Sequence, residues 1–345
     1  MVINIADRRI GQDYEPLIIA DIGINHNGSL TVAKEMVDAA HRAGVEMVKH
    51  QTHVVEDEMS PEAKKVIPGN ANVSIYEVMK SSALSEDEEY EMMKYTESKG
   101  MIFLSTPFSR AAADRLEKFS VPAYKIGSGE LNHYPLIDHI ASFGKPMIIS
   151  TGMNDISSIA KTVDIVKRNG VQFALMHTTN LYPTPAHLVR LGAMLEMHES
   201  FPDVPFGLSD HTLNNNSSIA AIALGASIIE RHFTDTMDRE GPDIPCSMDE
   251  AACAELIKAS QEVFKMRGGT KKATAEEQVT IDFAFATLVS IKPIGKGEIF
   301  TSENIWAKRP GTGELKAEEY YRVLGKPATT DIPIDTHLTD CMVGG

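Results

Sequence analysis

The chain has 345 residues, 43% of them hydrophobic, which suits one large domain with its own core and one small domain. Asp and Glu number 48 against 33 for Lys and Arg, and the resulting formal net charge of −15 argues against a surface for nucleic acid. The first residues lack a secretory signal, no apolar run reaches the roughly 20 residues of a membrane span, and the 3 cysteines form no C-x-x-C pair. We therefore expect a soluble, cytoplasmic protein with free thiols and no nucleic-acid or membrane partner.

Eight apolar segments alternate with eight helical patterns along residues 1–267. The predicted strands are 17–22, 45–50, 101–105, 123–126, 146–150, 173–177, 205–209 and 227–232. The helices that follow them are 30–42, 86–99, 111–118, 135–142, 156–168, 188–199, 216–224 and 250–266. This alternation, with a right-handed crossover at each step, predicts an α/β fold of the (β/α)8 TIM barrel type. A doubly wound open sheet is the alternative.

Two further segments depart from this alternation. The connection 53–82 is long for a loop between a strand and its helix, and loops of that length are usually functional or mobile. It would place Asn70 on a turn above the barrel mouth, although a turn-forming Asn without a ligand is the simpler interpretation. After the barrel, 268–282 is polar and predicts a linker, and 283–345 is rich in Gly and Pro punctuation and predicts a small β-rich domain.

Two histidines mark the ends of neighbouring predicted strands. His211 and His232 each follow an apolar run, and Ser209 and Glu230 precede them. The carboxyl ends of barrel strands share one mouth, where active sites collect. Two imidazoles there could share one divalent metal ion, whereas the alternative is two structural histidines. The accompanying polar groups favour the metal site, because buried polar side chains on strands need a compensating reason.

A second group of residues suits a phosphate. The segment 125–130 offers the cation of Lys125, the hydroxyl of Ser128 and a backbone left bare by glycine, and Ser150 and Gly152 repeat that provision on the next strand. A phosphorylated substrate follows as a hypothesis. The chain has neither a phosphate loop of the G-x-x-x-x-G-K-[ST] type nor a G-x-G-x-x-G after a strand, which argues against nucleotide-dependent kinase and nicotinamide chemistry.

The chemistry at the mouth has two interpretations. A Schiff-base aldolase would use a barrel lysine as its nucleophile, and Lys49 or Lys125 could serve. The two metal-suited histidines instead favour polarisation of a carbonyl group by a Lewis acid.

A set of motifs, taken together, resembles the bacterial sialic acid synthase (N-acetylneuraminate synthase) family across almost the whole chain. They are IGINHNG at 22–28, KHQTH at 49–53, IPGN at 67–70, STPF at 105–108, KIGSGE at 125–130, GLSDHT at 207–212 and ERHFT at 230–234. The tail, with IGKGE at 294–298 and KRPG at 308–311, is similar to the antifreeze-like (SAF) domain that ends this family.

The resemblance implies a condensation of phosphoenolpyruvate with N-acetylmannosamine and water that gives N-acetylneuraminate and phosphate by C–O cleavage. It implies that His211 and His232 hold Mn²⁺ or Mg²⁺, which polarises the sugar aldehyde. The expected catalytic residues are Asp21, Lys49, Gln51, Glu130 and Glu230. The expected substrate-binding residues are Lys125, Ser128, Ser150, Asn180 and Ser209 on the phosphate, Thr106 with Lys49 and Gln51 on the carboxylate side, and Asn70, Tyr182 and Asp243 on the sugar.

By the same resemblance, Arg309 reaches the sugar from the tail of the other subunit, in a domain-swapped homodimer. Two positions depart from the family pattern: Asp21 stands where the family usually has Glu, and Leu131 follows Glu130 where many relatives have Cys. The alternatives are a legionaminic or pseudaminic acid synthase acting on a diacetamido hexose, and a non-catalytic carbohydrate- or ice-binding protein suggested by the tail alone.

Overall fold

The computed structural model describes residues 2–69 and 71–345. The chain forms two compact units that divide between Arg267 and Gly268. No helix in these described ranges is both long enough and apolar enough to cross a membrane.

A short antiparallel hairpin opens the first unit. Its strands, β1 (Ile3–Ile5) and β2 (Arg8–Ile10), were not predicted from the sequence. Ile3, Ile5 and Ile10 are fully buried and pack against the residues that begin the barrel strands. Three-residue strands are too short for their alternation to stand out, which explains why they were missed.

Eight parallel strands close into a barrel, as predicted. They are β3 (Leu17–Gly23), β4 (Met47–Thr52), β5 (Ile102–Pro107), β6 (Tyr124–Ile126), β7 (Met147–Ser150), β8 (Phe173–Thr178), β9 (Phe206–Asp210) and β10 (Ile228–His232). The last strand pairs with the first, and this register sets His232 opposite Asp21. Every residue of β3 is buried, because a parallel strand in a barrel is covered on both faces.

The eight predicted helices surround the barrel. They are α1 (Leu30–Ala43), α4 (Glu86–Ser98), α5 (Arg110–Phe119), α6 (Tyr134–Ala141), α7 (Ile156–Arg168), α8 (Leu191–Ser200), α9 (Asn216–Ala223) and α10 (Glu250–Met266). Local chemistry sets their ends: Ser85 and Glu88 form a capping box at the start of α4, and Gly44 ends α1 in the left-handed conformation. Each helix therefore begins and ends close to the predicted position.

The connection 53–82 contains helices, where the sequence predicted a long loop. It forms α2 (Val55–Glu58), a 3₁₀ helix (Pro61–Lys65) and α3 (Ile75–Ser82). Two of the three helical pieces have five residues or fewer, too short for an apolar period to be recognised. The predicted sugar ligand Asn70 lies outside the described residues.

The second unit has a small antiparallel sheet and its own core. Its elements are a 3₁₀ helix (Ala275–Glu277), α11 (Gln278–Ala284), β11 (Thr287–Ser290), β12 (Ile305–Lys308), a 3₁₀ helix (Ala317–Glu319), α12 (Tyr320–Val323) and a 3₁₀ helix (Asp340–Met342). Leu288, Phe300 and Leu338 are fully buried in that core. The segment predicted as a linker, 268–282, therefore contains the start of a helix.

Candidate active site

A cavity of about 260 Å³ opens at the carboxyl ends of the barrel strands. Side chains of a parallel strand alternate between the barrel interior and the helices, so the inward residues that end each strand converge on one mouth. All eight strands contribute to the lining. The predicted site residues that line the cavity are Asp21, Lys49, Gln51, Thr106, Lys125, Ser128, Glu130, Ser150, Asn180, Tyr182, Ser209, His211, Glu230 and His232.

Lys49 and Asp21 form a buried ion pair on one side of the cavity. Lys49 Nζ lies 2.8 Å from Asp21 Oδ2, and Asp21 Oδ1 accepts a hydrogen bond from the backbone N–H of Gly23 at 2.9 Å. Burial is the largest influence on Asp21 and would raise its pKa, but the charge and hydrogen bond of Lys49, together with further nearby positive charge, outweigh burial and lower that pKa. The pKa of Lys49 is raised, because the charges of Asp21 and Glu230 outweigh its own burial. Both groups therefore stay charged at neutral pH.

A second lysine, Lys125 on β6, contacts residues of other barrel strands. Lys125 Nζ donates to Ser150 Oγ at 2.6 Å and to the carbonyl of Ile126 at 3.0 Å, and it lies 3.6 Å from Glu230 Oε1. Ser209 Oγ donates to the same Glu230 oxygen at 3.1 Å. The other Glu230 oxygen, Oε2, is buried without a hydrogen-bond partner among the described residues. The lysine and the hydroxyls form a donor-rich wall that suits an anionic ligand.

Glycine keeps part of this wall bare. The backbone N–H of Gly152 donates to Ser128 Oγ at 3.0 Å. A Cβ on Gly152 would lie 1.8 Å from Asn180 Oδ1 and 2.8 Å from Ser128 Oγ, so no other residue fits without displacing both side chains. The predicted requirement for a bare backbone next to Ser150 is thus visible in the geometry.

Glu130 is a buried carboxyl group whose proton affinity is unusually high. Its Oε2 atom has no hydrogen-bond partner within residues 2–69 and 71–345. Burial, together with the nearby negative charge of Glu58, raises the pKa of Glu130 to about 7. A carboxyl group with that pKa can give or take a proton near neutral pH, which suits a general acid or base.

His211, the first residue after β9, and His232, the last residue of β10, have their rings side by side at the cavity. The rings of His211 and His232 stack with centroids 5.3 Å apart, and Tyr182 stacks on His211 at 4.2 Å. The Nδ1–H of His211 donates to the carbonyl of Thr179 at 3.0 Å, and His232 Nδ1 lies 3.3 Å from Asp21 Oδ2. Burial and the neighbouring His232 lower the pKa of His211 to about 3, so its ring is neutral.

This arrangement fits a divalent metal ion. Metal-binding imidazoles commonly donate one ring N–H to a carbonyl or a carboxylate and keep the other nitrogen for the metal. Thr179 accepts such a hydrogen bond from His211, and for His232 the Oδ2 atom of Asp21 lies 3.3 Å from Nδ1, although the two make no hydrogen bond. In the described part of the chain, no three His, Cys, Asp or Glu side chains converge on one point. An ion held by His211 and His232 would therefore take further ligands from water or substrate.

The predicted site residue Asp243 does not line the cavity. Asp243 is buried behind His232, with its Oδ2 atom 4.0 Å from His232 Nδ1, and burial raises its pKa. Arg309 is exposed in the second unit, and Asn70 lies outside the described residues. Three other residues line the cavity without having been assigned a role, namely Phe108, Met153 and Thr178. Thr178 could have been found as an inward residue at a strand end, whereas Met153 carries no chemical signal.

Comparison with known proteins identifies the family to which the chain belongs. The family model described as the NeuB family matches residues 36–272, and the one described as the SAF domain matches residues 285–343. The chain belongs to the NeuB family. The NeuB-family match includes every cavity residue except Asp21, which precedes it.

Relatives of this NeuB-family chain align over nearly their full lengths. An uncharacterized protein of Methanocaldococcus jannaschii is 39% identical, with 90% of each chain covered. The N,N'-diacetyllegionaminic acid synthase of Campylobacter jejuni is 35% identical, with 92% of this chain and 97% of that one covered. The crystal structure of N-acetylneuraminic acid (sialic acid) synthetase from Leptospira borgpetersenii, in complex with citrate, superposes with a TM-score of 0.75 at 26% identity, covering 81% of this chain and 95% of that one.

Proposed function

We propose that this protein condenses phosphoenolpyruvate with N-acetylmannosamine and water, giving N-acetylneuraminate and inorganic phosphate. The observation that carries the proposal is the pair of buried lysines, Lys49 and Lys125, on the wall of one cavity that two stacked imidazoles also line. Two separate cations suit a substrate with two anionic groups, and phosphoenolpyruvate carries a carboxylate and a phosphate. Names of relatives in the NeuB family support the same class of reaction.

The proposed reaction forms a carbon–carbon bond and breaks a carbon–oxygen bond. The C3 carbon of phosphoenolpyruvate forms a bond with the aldehyde carbon of the open-chain sugar, and the aldehyde oxygen takes a proton to become a hydroxyl group. Water adds to C2 and gives up one proton, which balances the proton taken by the aldehyde oxygen. The new C2 hydroxyl group loses its proton as the bond between C2 and the phosphate ester oxygen breaks, and the departing phosphate takes up that proton. The ester oxygen leaves with the phosphate, and C2 becomes the ketone of the product.

The residues have matching roles in this reaction. Lys125, Ser150 and Ser209 bind the phosphate, next to the bare backbone of Gly152. Lys49, Gln51 and Thr106 bind the carboxylate side. Glu130, whose pKa lies at about 7, moves a proton near the reacting carbons, and Glu230 is the second carboxyl group within reach.

A divalent cation completes the proposal. His211 and His232 would hold Mn²⁺ or Mg²⁺, of which imidazole ligands favour Mn²⁺. Such an ion supplies a Lewis acid that polarises the sugar aldehyde. Tyr182 packs on His211 and closes the side of the cavity where the sugar would lie.

The sugar itself has a second candidate. The 35% identity to a diacetyllegionaminic acid synthase favours a diacetamido hexose as the acceptor, and a pseudaminic acid synthase is a related possibility. The test is phosphate release from phosphoenolpyruvate with a panel of N-acetylmannosamine and the two diacetamido hexoses, with the product identified by mass spectrometry. Faster phosphate release with N-acetylmannosamine than with either diacetamido hexose supports the main proposal. Release with none of the sugars contradicts the whole reaction class.

A further inference from the structure

His53, which lies outside the predicted site, contacts Gln51, and Glu58 contacts His53 on the other side of its ring. His53 lies two residues beyond Gln51, so both point to the same side of the chain as it leaves β4. The Nδ1 atom of His53 lies 2.7 Å from Glu58 Oε2, and its Nε2 atom lies 3.2 Å from Gln51 Oε1. The ring stacks on Phe108 with centroids 4.4 Å apart, which fixes its plane. The imidazole of His53, held by Glu58 and Phe108, therefore contacts one end of the Gln51 side chain.

The two contacts define the protons on the His53 ring. The carboxylate of Glu58 only accepts hydrogen bonds, so Nδ1 carries a proton. Gln51 Oε1 is likewise an acceptor, so this contact needs a proton on Nε2 as well, as in an imidazolium ion. In the neutral ring, Nε2 would accept instead, and the Gln51 amide would have to turn its N–H₂ group toward His53. The protonation of His53 thus selects the orientation of the Gln51 amide.

The orientation of that amide matters to an anion in the cavity. With Oε1 in contact with His53, the Nε2 group of Gln51 points toward Gly23. A Cβ atom added to Gly23 would lie 3.1 Å from Gln51 Nε2. Gln51 lines the cavity together with Lys49. A bound carboxylate would then meet N–H donors, whereas the reversed amide would present a carbonyl oxygen that repels it.

We propose that the His53–Glu58 pair positions Gln51 so that its amide N–H groups face the carboxylate of phosphoenolpyruvate. This inference rests on the proposed function and adds two positioning residues to it. Glu58 acts through His53, and His53 acts through Gln51; neither lies between the two lysines that bind the substrate's charges.

The other charged groups around His53 do not replace Glu58. Burial lowers the pKa of His26 to about 4 and that of His50 well below its usual range, so both rings are neutral. Glu89 is occupied by hydrogen bonds from Thr52 and from Arg115, the latter at 3.1 Å. Glu130 faces Glu58 and carries a full charge only above its pKa of about 7. Glu58 is the carboxylate in direct contact with the ring.

The test is the affinity for phosphoenolpyruvate measured by calorimetry without the sugar, from pH 6 to pH 9. Glu58→Gln keeps the shape and an acceptor for Nδ1 but removes the charge that stabilises the imidazolium ion. We expect about tenfold weaker binding than in the wild type across this pH range, because a neutral amide no longer favours the proton on Nε2 that Gln51 Oε1 needs. Glu62→Gln, an exposed carboxylate of the same segment, is the matched control and should bind as the wild type does.

Two further variants separate positioning from folding. Glu58→Asp keeps the charge and should recover most of the affinity. Gln51→Met removes the amide, and adding Glu58→Gln to it should weaken binding no further, because the glutamate then has nothing to act through. Two results would overturn the positioning role and leave the proposed function standing, provided that the wild type binds phosphoenolpyruvate. One is a double variant whose loss of affinity equals the sum of the two single losses. The other is Glu58→Gln binding phosphoenolpyruvate as tightly as Glu62→Gln does. A wild-type protein that does not bind phosphoenolpyruvate overturns the proposed function as well.

Discussion

Asp21 and Lys49 form an ion pair whose side chains are only 5% and 4% exposed, and the same carboxylate oxygen lies 3.3 Å from His232 Nδ1. One oxygen atom therefore links a cation of the cavity wall to one of the two stacked imidazoles. The shorter side chain of Asp, in place of the glutamate that the family resemblance leads one to expect, fits this position between two neighbouring strands. Asp21 thus organises other groups at the mouth.

Asp21→Asn should lower both stability and turnover. It leaves the Lys49 ammonium group buried beside a neutral amide, which costs about 3 kcal/mol in the free energy of unfolding. Asp21→Glu keeps the charge and should retain most activity. Urea unfolding and phosphate release measure the two effects, with the exposed Asp203→Asn as control. Equal stability and activity in all four proteins would remove Asp21 from the site.

The paired histidines predict a dependence on metal. Chelation should abolish turnover and Mn²⁺ should restore it. His211→Ala and His232→Ala should each weaken Mn²⁺ binding measured by calorimetry, while circular dichroism shows an intact fold, because both rings lie at the mouth and not in the layers that fill the barrel. His41→Ala, on the exposed side of α1, is the control. Mn²⁺ binding that survives both substitutions places the metal elsewhere.

Gly152→Ala should impair binding of the phosphorylated substrate more than it impairs folding. The new methyl group would overlap Asn180 Oδ1 and crowd Ser128 Oγ, so both side chains must move away from the phosphate wall. We expect the KM for phosphoenolpyruvate to rise about tenfold or more, as for the loss of a good polar contact. Gly192→Ala, which meets no atom within 4 Å, is the matched control. An unchanged KM would mean that Asn180 and Ser128 do not bind the substrate.

The raised pKa of Glu130 predicts how stability changes with pH. The folded state holds the proton up to about pH 7, whereas the unfolded chain releases it near the ordinary value of 4.5. The free energy of unfolding of the wild type therefore falls as pH rises from 4.5 to 7, and the whole of this loss is present above pH 7. Glu130→Gln lacks this penalty and should be more stable than the wild type by about 2–3 kcal/mol at pH 8, with little difference at pH 4.5. A gap that does not grow with pH would contradict the buried, protonated carboxyl group.

The barrel could be predicted because its signal is repeated. Each strand is a buried apolar run that ends in polar residues, as in the run that ends at His232, and its helix follows with an amphipathic period. The residues that converge at the mouth, such as Lys49 and Lys125, then follow from topology, since every parallel strand ends on the same side. The set of residues at the mouth can therefore be predicted without knowledge of interatomic distances.

Contacts made through short or irregular segments could not be predicted. The pairing of His53 with Glu58 depends on α2, a helix of 4 residues with no recognisable period. Asp243 was assigned to the sugar by resemblance alone, and its approach to His232, at 4.0 Å from Nδ1, depends on the short 3₁₀ helix that begins at the next residue. Such positions are decided by the folded backbone, which a pattern of apolar residues does not encode.

Arg309 allows a test of the role of the second unit in a proposed domain-swapped homodimer. Arg309 is exposed in that unit, immediately after β12. If its guanidinium group binds the sugar, Arg309→Ala should raise the KM for the sugar far more than the KM for phosphoenolpyruvate. Lys308→Ala, which removes the neighbouring positive charge, is the control.

A mixed dimer tests whether the arginine comes from the other subunit. One chain carries Arg309→Ala and its partner carries His211→Ala. If each mouth uses the tail of the other chain, one mouth receives both substitutions and the second receives neither, so one native site remains and the heterodimer should keep about half of the wild-type activity. If each tail serves its own barrel, both sites are defective and the heterodimer should be nearly inactive. That second outcome would refute the exchange of tails and leave the proposed chemistry of the barrel mouth unaffected.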